Sequence, residues 1–160
     1  MKTLIIFYSR YESTHRAALM IRDRLENCDI IEVELIKNVN LNDYDRIIFG
    51  SNIINGKINR KIIKTIKKNK KLLKTKKVYG FILCANKNLY VERYFHLLAN
   101  LLETNKVYYL GGVLDPARAS GFESLLIESI IVNMNSQGLK ATGINESAID
   151  EFVLMIKNDQ

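Results

Sequence analysis

The sequence predicts an α/β protein: a doubly wound, five-stranded parallel sheet of order 2-1-3-4-5, with helices on both faces. Short apolar runs without charge recur at Leu4–Tyr8, Ile47–Phe49, Val78–Cys84 and Val107–Leu114. Runs of this kind suit strands buried on both faces of a parallel sheet. Helical patterns fall between them, and strands alternating with helices imply a parallel sheet covered on both sides. One early segment, Asp29–Ile36, instead alternates Ile31, Val33 and Leu35 with Glu32 and Glu34, as a half-exposed edge strand does. Right-handed crossovers and an early edge strand give the order 2-1-3-4-5. Its ligand site lies at the strand C-termini, between the first and third strands.

Each element follows from its own pattern. Leu4–Tyr8 is the first strand, and Ala17, Ala18, Met20, Ile21 and Leu25 mark the helix after it. Asn38–Tyr44 is a polar loop, so the crossover from the edge strand is missing or only a turn. Arg46–Phe49 is the third strand, ending at Gly50. Ser51–Gly56 is a loop whose Asn55-Gly56 pair suits positive φ. Ile58, Ile62, Ile63, Ile66 and Leu73 predict a helix over Ile58–Leu73 with its lysines on the other face. Val78–Cys84 is a strand, Ala85–Val91 a loop and Glu92–Leu102 an amphipathic helix. Val107–Leu114 is the fifth strand, with Gly111 and Gly112 inside it. Asp115–Gly121 is irregular, Phe122–Met134 is an apolar helix, Ser136–Asn145 is a loop, and Ser147–Lys157 is the closing helix.

The 160 residues, 48% hydrophobic and 26% charged, fit one domain over 1–160 with enough chain for a real core. No apolar run reaches the roughly 18 residues of a membrane span, so no integral membrane segment is expected. The N-terminus leads straight into the first strand, so no signal peptide is expected. Cys28 and Cys84 stand alone and read as reduced thiols of a cytoplasmic protein. The net charge of +7 misleads, because Lys57–Lys77 holds eleven Lys or Arg and no acid, and the rest is mildly acidic. No aromatic residue interleaves those lysines to stack bases, so no nucleic-acid partner is expected. The stripe reads as a solvated helix face or as a docking surface for an acidic partner or an anionic membrane. His15 and His96 have no companions at metal-ligand spacing, and no metal is expected.

The chemistry concentrates in three loops that the winding brings together: Ser9–Thr14, Ser51–Lys57 and Ala85–Val91. In the first, a strand passes through a hydroxyl-rich loop into a helix. Unpaired N–H groups and the helix dipole there favour an anion, and Ser9 and Thr14 add hydroxyl donors. Ser13 or Thr14 serving only as a helix cap stays open at this point. The loop contains no glycine, which excludes a P-loop and a dinucleotide fingerprint. A receiver-type signalling site needs carboxylates after the first strand and an Asp after the third. Those places hold Tyr8-Ser9 and Gly50.

Met1–Phe7, Ser9 and Thr14, the run Tyr44-Asp45-Arg46-Ile47-Ile48-Phe49-Gly50-Ser51, Asn55-Gly56-Lys57 and Gly111-Gly112 together carry a family resemblance. In their order and spacing the sequence resembles flavodoxins over nearly its whole length. Within that flavodoxin-like family it looks closest to the group that includes menaquinone-dependent protoporphyrinogen oxidase. The resemblance implies non-covalent FMN, with its phosphate on Ser9, Arg10, Tyr11, Glu12, Ser13 and Thr14. It implies an isoalloxazine ring between Ser51, Asn52, Ile53, Asn55, Gly56 and Lys57 on one side and Ala85, Asn86, Lys87 and Tyr90 on the other. A peptide near Gly56 would turn to accept a hydrogen bond from the reduced ring, and Tyr90 is the candidate to stack on it. The implied role is electron transfer with a redox partner protein, and the alternative is a quinone-dependent protoporphyrinogen oxidase. In that oxidase group the region matching Asp115–Met134 is a longer basic extension. Here it carries Glu123 and Glu128, so its apolar surplus is expected in the protein's own core or in a homodimer.

Overall fold

Strand β1 (Thr3–Tyr8) is an interior strand of the sheet, because Leu4, Ile5, Ile6 and Phe7 can be buried only if both faces are covered. The computed structural model describes residues 1–10, 12–54, 57–84, 87–112, 116–118, 121–138 and 143–159, of which 54, 87–91, 118 and 123 by backbone alone. Its other strands are β2 (Cys28–Glu32), β3 (Arg46–Ile54), β4 (Lys57–Ile58), β5 (Lys77–Leu83), β6 (Val107–Tyr109), β7 (Gly111–Gly112) and β8 (Gly143–Ile144). Its helices are α1 (Ser13–Arg24), α2 (Arg60–Lys68), α3 (Lys70–Leu73), α4 (Lys87–Leu102), α5 (Phe122–Ser136) and α6 (Glu146–Asn158). The main sheet runs β2-β1-β3-β5-β6, all parallel, with β4 attached antiparallel to β3. Counting only the five parallel strands, this is the predicted order 2-1-3-4-5, with β2 at the edge.

The register sorts side chains between two cores. Leu4 and Ile6 of β1, Ile47 and Phe49 of β3, and Val78 and Ile82 of β5 face Ile62 and Ile66 of α2 and Leu98 and Leu102 of α4. Ile5, Phe7, Ile48, Tyr79 and Phe81 face the other way, toward Ala17 and Ile21 of α1 and Phe152 and Ile156 of α6. Each such side chain, once buried, contributes about 1.5–3 kcal/mol. A one-residue slip would reverse every one of them. At Gly50 an added Cβ would lie 2.2 Å from the Phe81 ring, so that strand position is glycine for space.

Several elements depart from the sequence reading. The edge strand stops at Glu32 instead of Ile36, and Val33–Asn38 winds as a 3₁₀ turn, followed by a second at Leu41–Asp43. Phe7 pairs with Glu32, so β1 offers no ladder much further along. The loop expected from Ser51 is a continuation of β3 to Ile54, which pairs back onto β4 through Ile53 with Ile58 and Ile54 with Lys57. The single helix over Ile58–Leu73 is two, parted at Asn69. There the side-chain amide donates to the Thr65 carbonyl (2.9 Å), competing with the helical ladder. The expected Ala85–Val91 loop is shorter, because α4 starts at Lys87. The expected fifth strand is broken after Tyr109, where Gly111 takes φ +82 and turns the chain into β7, paired with β8. An added Cβ on Gly111 would lie 2.0 Å from the Gly143 carbonyl oxygen.

The strand N-termini are closed by Asp159, just beyond α6. Its carboxylate accepts from the Tyr79 hydroxyl (2.7 Å) and pairs with Lys106, and its carbonyl accepts from Lys77 (2.8 Å). The Lys106 contact first, and the Tyr79 bond second, hold the Asp159 carboxyl below its usual range. A depressed carboxylate stabilises the fold above its ordinary pKa, and the contribution fades as pH falls through the folded value. Asp159→Asn should therefore lower the thermal midpoint at neutral pH. The gap to the parent protein should narrow below about pH 4, the ordinary carboxylate range. Thermal unfolding followed across pH checks this, and a gap that stays constant down to acid pH counts against it.

Candidate functional site

The strand register delivers the three candidate segments to one edge. Tyr8 pairs with Ser51, Ser51 with Ile82, and Asn52 with Leu83, so β1, β3 and β5 end side by side at their C-termini. Ser9–Thr14 leaves β1 there, Ser51–Ile54 is the end of β3, and Cys84 follows β5. Tyr109 of β6 donates to the Cys84 carbonyl (2.6 Å), and the Cys84 N–H donates to Gly111 (2.9 Å). These bonds fix where the third segment departs. Tyr109 is a positioning residue that the sequence reading passed over, since Val-Tyr-Tyr looks like any strand until its neighbour across the sheet is known.

At the first segment, Glu12 is the cap residue of α1, in the left-handed region at φ 63 and ψ −17. Its carbonyl accepts from Arg16 (2.8 Å), and no side chain caps the helix. A non-glycine residue there costs about 1 kcal/mol, and such strain recurs at ligand loops. Ser13 and Thr14 lie inside the first turn, both buried, with Thr14 fully so. Among the described residues the Thr14 hydroxyl is sealed from solvent with no hydrogen-bond partner, and so is the hydroxyl of Ser9, five residues before it. The cap role for Thr14 that the sequence left open therefore does not hold.

A buried polar atom left without a partner costs about 1–3 kcal/mol. Among the described residues five side chains hold such an atom, and three of them belong to this edge: Ser9, Thr14 and Asn52. The other two, Thr3 and Arg46, are register partners at the opposite end of the sheet. Asn52 is almost fully buried, with its side-chain oxygen unpartnered. Ser51 next to it is satisfied: its hydroxyl donates to the Asn52 carbonyl (2.9 Å) and accepts from the Asn59 N–H (3.3 Å). Ser51 thus ties the strand end to the start of α2. A hydroxyl in the first turn of a helix and one on the segment leading into it can donate to an anion, and the helix dipole favours it.

The remaining predicted positions divide. Arg10, Glu12 and Lys57 are exposed around this edge, and Ile53 is half-buried. Lys87 and Tyr90 fall in the first turns of α4 instead of in a loop. The side chains of Lys87 and Tyr90, and all of Tyr11, Asn55, Gly56, Ala85 and Asn86, lie outside the described residues. His15 stacks on Phe7, with ring centroids 5.1 Å apart and planes within 6°.

The family model described as Flavodoxin domain matches residues 4–140. Among solved structures, the fold is similar to flavodoxin 2 from Bacillus cereus, at TM-score 0.55 and 18% identity over 86% of this chain and 99% of that one. It is similar to a Lactobacillus acidophilus flavoprotein in complex with FMN, at TM-score 0.50 and 16% identity over 69% and 91% of the two chains. The rubredoxin:oxygen oxidoreductase of Desulfovibrio gigas matches at TM-score 0.55 and 14% identity, over 81% of this chain. This chain spans about a third, 34%, of that longer protein. At these identities the likeness is one of fold. No curated protein matches the sequence.

The buried Thr14 hydroxyl carries its own test. Thr14→Val keeps the side-chain shape and removes an unpartnered polar atom, so the ligand-free protein should be as stable or more stable. Urea unfolding measures this, and a loss of more than about 1 kcal/mol would mean that the hydroxyl is bonded within the fold.

Proposed function

The chain belongs to the flavodoxin domain family, and from that premise we propose that it is a redox flavoprotein holding one FMN non-covalently at the C-terminal edge of its sheet. The observation that carries this is the pair of buried hydroxyls, unpartnered among the described residues, of Ser9 just after β1 and Thr14 in the first turn of α1. They fit a phosphate, which would take both donors together with the N–H groups of the first turn. Arg10, Tyr11, Glu12 and Ser13 complete that segment. Ser51, Asn52, Ile53, Asn55, Gly56 and Lys57 on one side, and Ala85, Asn86, Lys87 and Tyr90 on the other, would border the ring. Bound flavin supplies one- and two-electron transfer, and the protein's part is to bind, orient and tune it. In this reading Ser51 keeps the β3 end in place through Asn59, and Tyr109 sets the departure of the segment after β5. Asn52 brings a buried amide oxygen able to accept a hydrogen bond at the same edge.

Titration with FMN and with riboflavin separates phosphate binding from ring binding. Thr14→Val should weaken FMN by about 1–3 kcal/mol, the cost of leaving a charged acceptor short of a donor. Riboflavin, lacking the phosphate, should bind the parent and the variant alike. Absence of FMN uptake by the parent protein, or equal losses for both ligands, would defeat the assignment.

One observation favours a second reading, the quinone-dependent oxidase. The sequence analysis expects the apolar surplus of α5 in the protein's own core or in a homodimer, and most of it is not in the core. Ile127 and Met134 are buried, but Phe122, Leu125, Leu126, Ile130 and Val132 are exposed, Phe122 at 74% and Val132 at 68%. Among the described residues neither of the two cores includes a residue of α5. An exposed apolar face suits an apolar acceptor or a second copy of the chain. Among the described residues no helix is long and apolar enough to cross a membrane. We favour electron transfer with a partner protein, the chain lying in the cytoplasm and α5 covered in a homodimer. FMN-loaded protein should then be a dimer by sedimentation and should stay off liposomes. Stable partition into liposomes together with protoporphyrinogen-dependent quinone reduction would replace this reading with the oxidase.

A further inference from the structure

The lysine-rich surface starts at the candidate site. β4 carries Lys57 beside the end of β3, and Asn59, the cap of α2, is bonded to Ser51. From there α2 and α3 run back toward the strand N-termini. Lys57–Lys77 contains eleven basic residues and no acid, while the rest of the chain has 13 basic and 17 acidic residues. Five of the eleven are engaged. Lys61 pairs with Glu34, Lys70 and Lys74 share Glu103, Lys76 donates to the Asn42 carbonyl, and Lys77 donates to Asp159. The other six, Lys57, Arg60, Lys64, Lys67, Lys68 and Lys71, are exposed, and their side chains make no ion pair or hydrogen bond among the described residues. Arg60, Lys64, Lys67 and Lys71 recur at helical spacing, opposite the buried Ile62 and Ile66.

At the far end this surface opens into a groove of about 580 Å³. Lysines 70, 74, 76, 77 and 106 line its rim against only Glu103 and Asp159, and Leu73, Val78 and Leu102 form apolar parts of its wall. The run from residue 60 to residue 73 is about 20 Å long at 1.5 Å per residue. That is comparable with the width of a standard protein interface, about 800 Å² on each partner.

We propose that this face docks the acidic surface of a partner protein, which inserts an apolar side chain into the groove. The proposal rests on the redox reading, because the stripe begins where the flavin would lie and so sets a partner beside it. Charge complementarity selects an acidic occupant, and the apolar wall selects a protein over a nucleic acid. A membrane is disfavoured because none of the exposed large hydrophobic side chains falls between residues 57 and 77, and an interfacial helix needs an apolar face to insert.

The test uses the full chain loaded with FMN and a fluorescent peptide of glutamates with two leucines, read by anisotropy. Binding should weaken about tenfold or more from about 0.1 M to about 1 M salt, as the screening length falls from about 10 Å to about 3 Å. The triple substitution Lys64→Glu, Lys67→Glu, Lys68→Glu should weaken it by a similar factor, and Gln at the same three positions should act in the same direction. Lys76→Glu at the groove should also weaken it, and replacing the leucines by serine should cost further affinity. FMN affinity should be the same in parent and triple variant, so loss of docking with normal FMN uptake refutes this proposal alone. Absence of FMN uptake by the parent refutes the redox reading. Binding to phosphatidylserine vesicles or to a single-stranded oligonucleotide that matches or exceeds the peptide would overturn the choice of partner, as would no peptide binding at low salt.

Discussion

Parallel pairing of β1 with β2 on one side and β3 on the other is the constraint from which the rest of the architecture follows. Four consecutive apolar residues, Leu4 to Phe7, alternate between the two faces, so the strand is stable only with helices above and below it. α1 and α6 cover one face, and α2 and α4 the other. Because the strands are parallel, each ends at the same edge, and the segments that follow β1, β3 and β5 depart from there. The candidate site is thus a consequence of strand direction and register.

The two ends of the sheet differ in how their polar groups are settled. At the N-terminal end Asp159 gathers Lys77, Tyr79 and Lys106, joining the last residues of the chain to β5 and β6. Burial first, and the Asp159 bond second, push the Tyr79 phenol above its usual range, in keeping with a proton held between them. At the C-terminal end Ser9, Thr14 and Asn52 hold sealed polar atoms with nothing to bond. A fold bears such a cost where a ligand removes it. Among the described residues Thr3 and Arg46 also hold sealed, unpartnered atoms at the N-terminal end, so what sets the C-terminal edge apart is that two of its three are on the strand-to-helix segment after β1.

The outer surfaces show a second asymmetry. The face of α2 and α3 is strongly cationic and almost devoid of exposed apolar side chains. The face of α5 is apolar and carries no basic residue. These surfaces suit different partners, and the cationic one adjoins the candidate site through Ser51 and Asn59. Charge close to a redox site steers encounter more than it adds affinity.

The sequence by itself determined the strands that are buried on both faces, their order and the edge position of β2. These follow from local patterns: continuous apolar runs and alternation. Only the tertiary structure decided the element ends and the state of each polar group. β2 stops at Glu32 because β1 offers no ladder much beyond it. β3 runs on to Ile54 because β4 returns to pair with it, and the last apolar run breaks at Gly111 because β8 comes against it. The sequence left Thr14 as either cap or ligand, because a hydroxyl at a helix start looks the same in both roles. Its burial without a partner among the described residues speaks against the cap, and that burial depends on the packing of the folded chain. The apolar residues of α5 were likewise readable, but whether a helix face is covered depends on where the other elements lie.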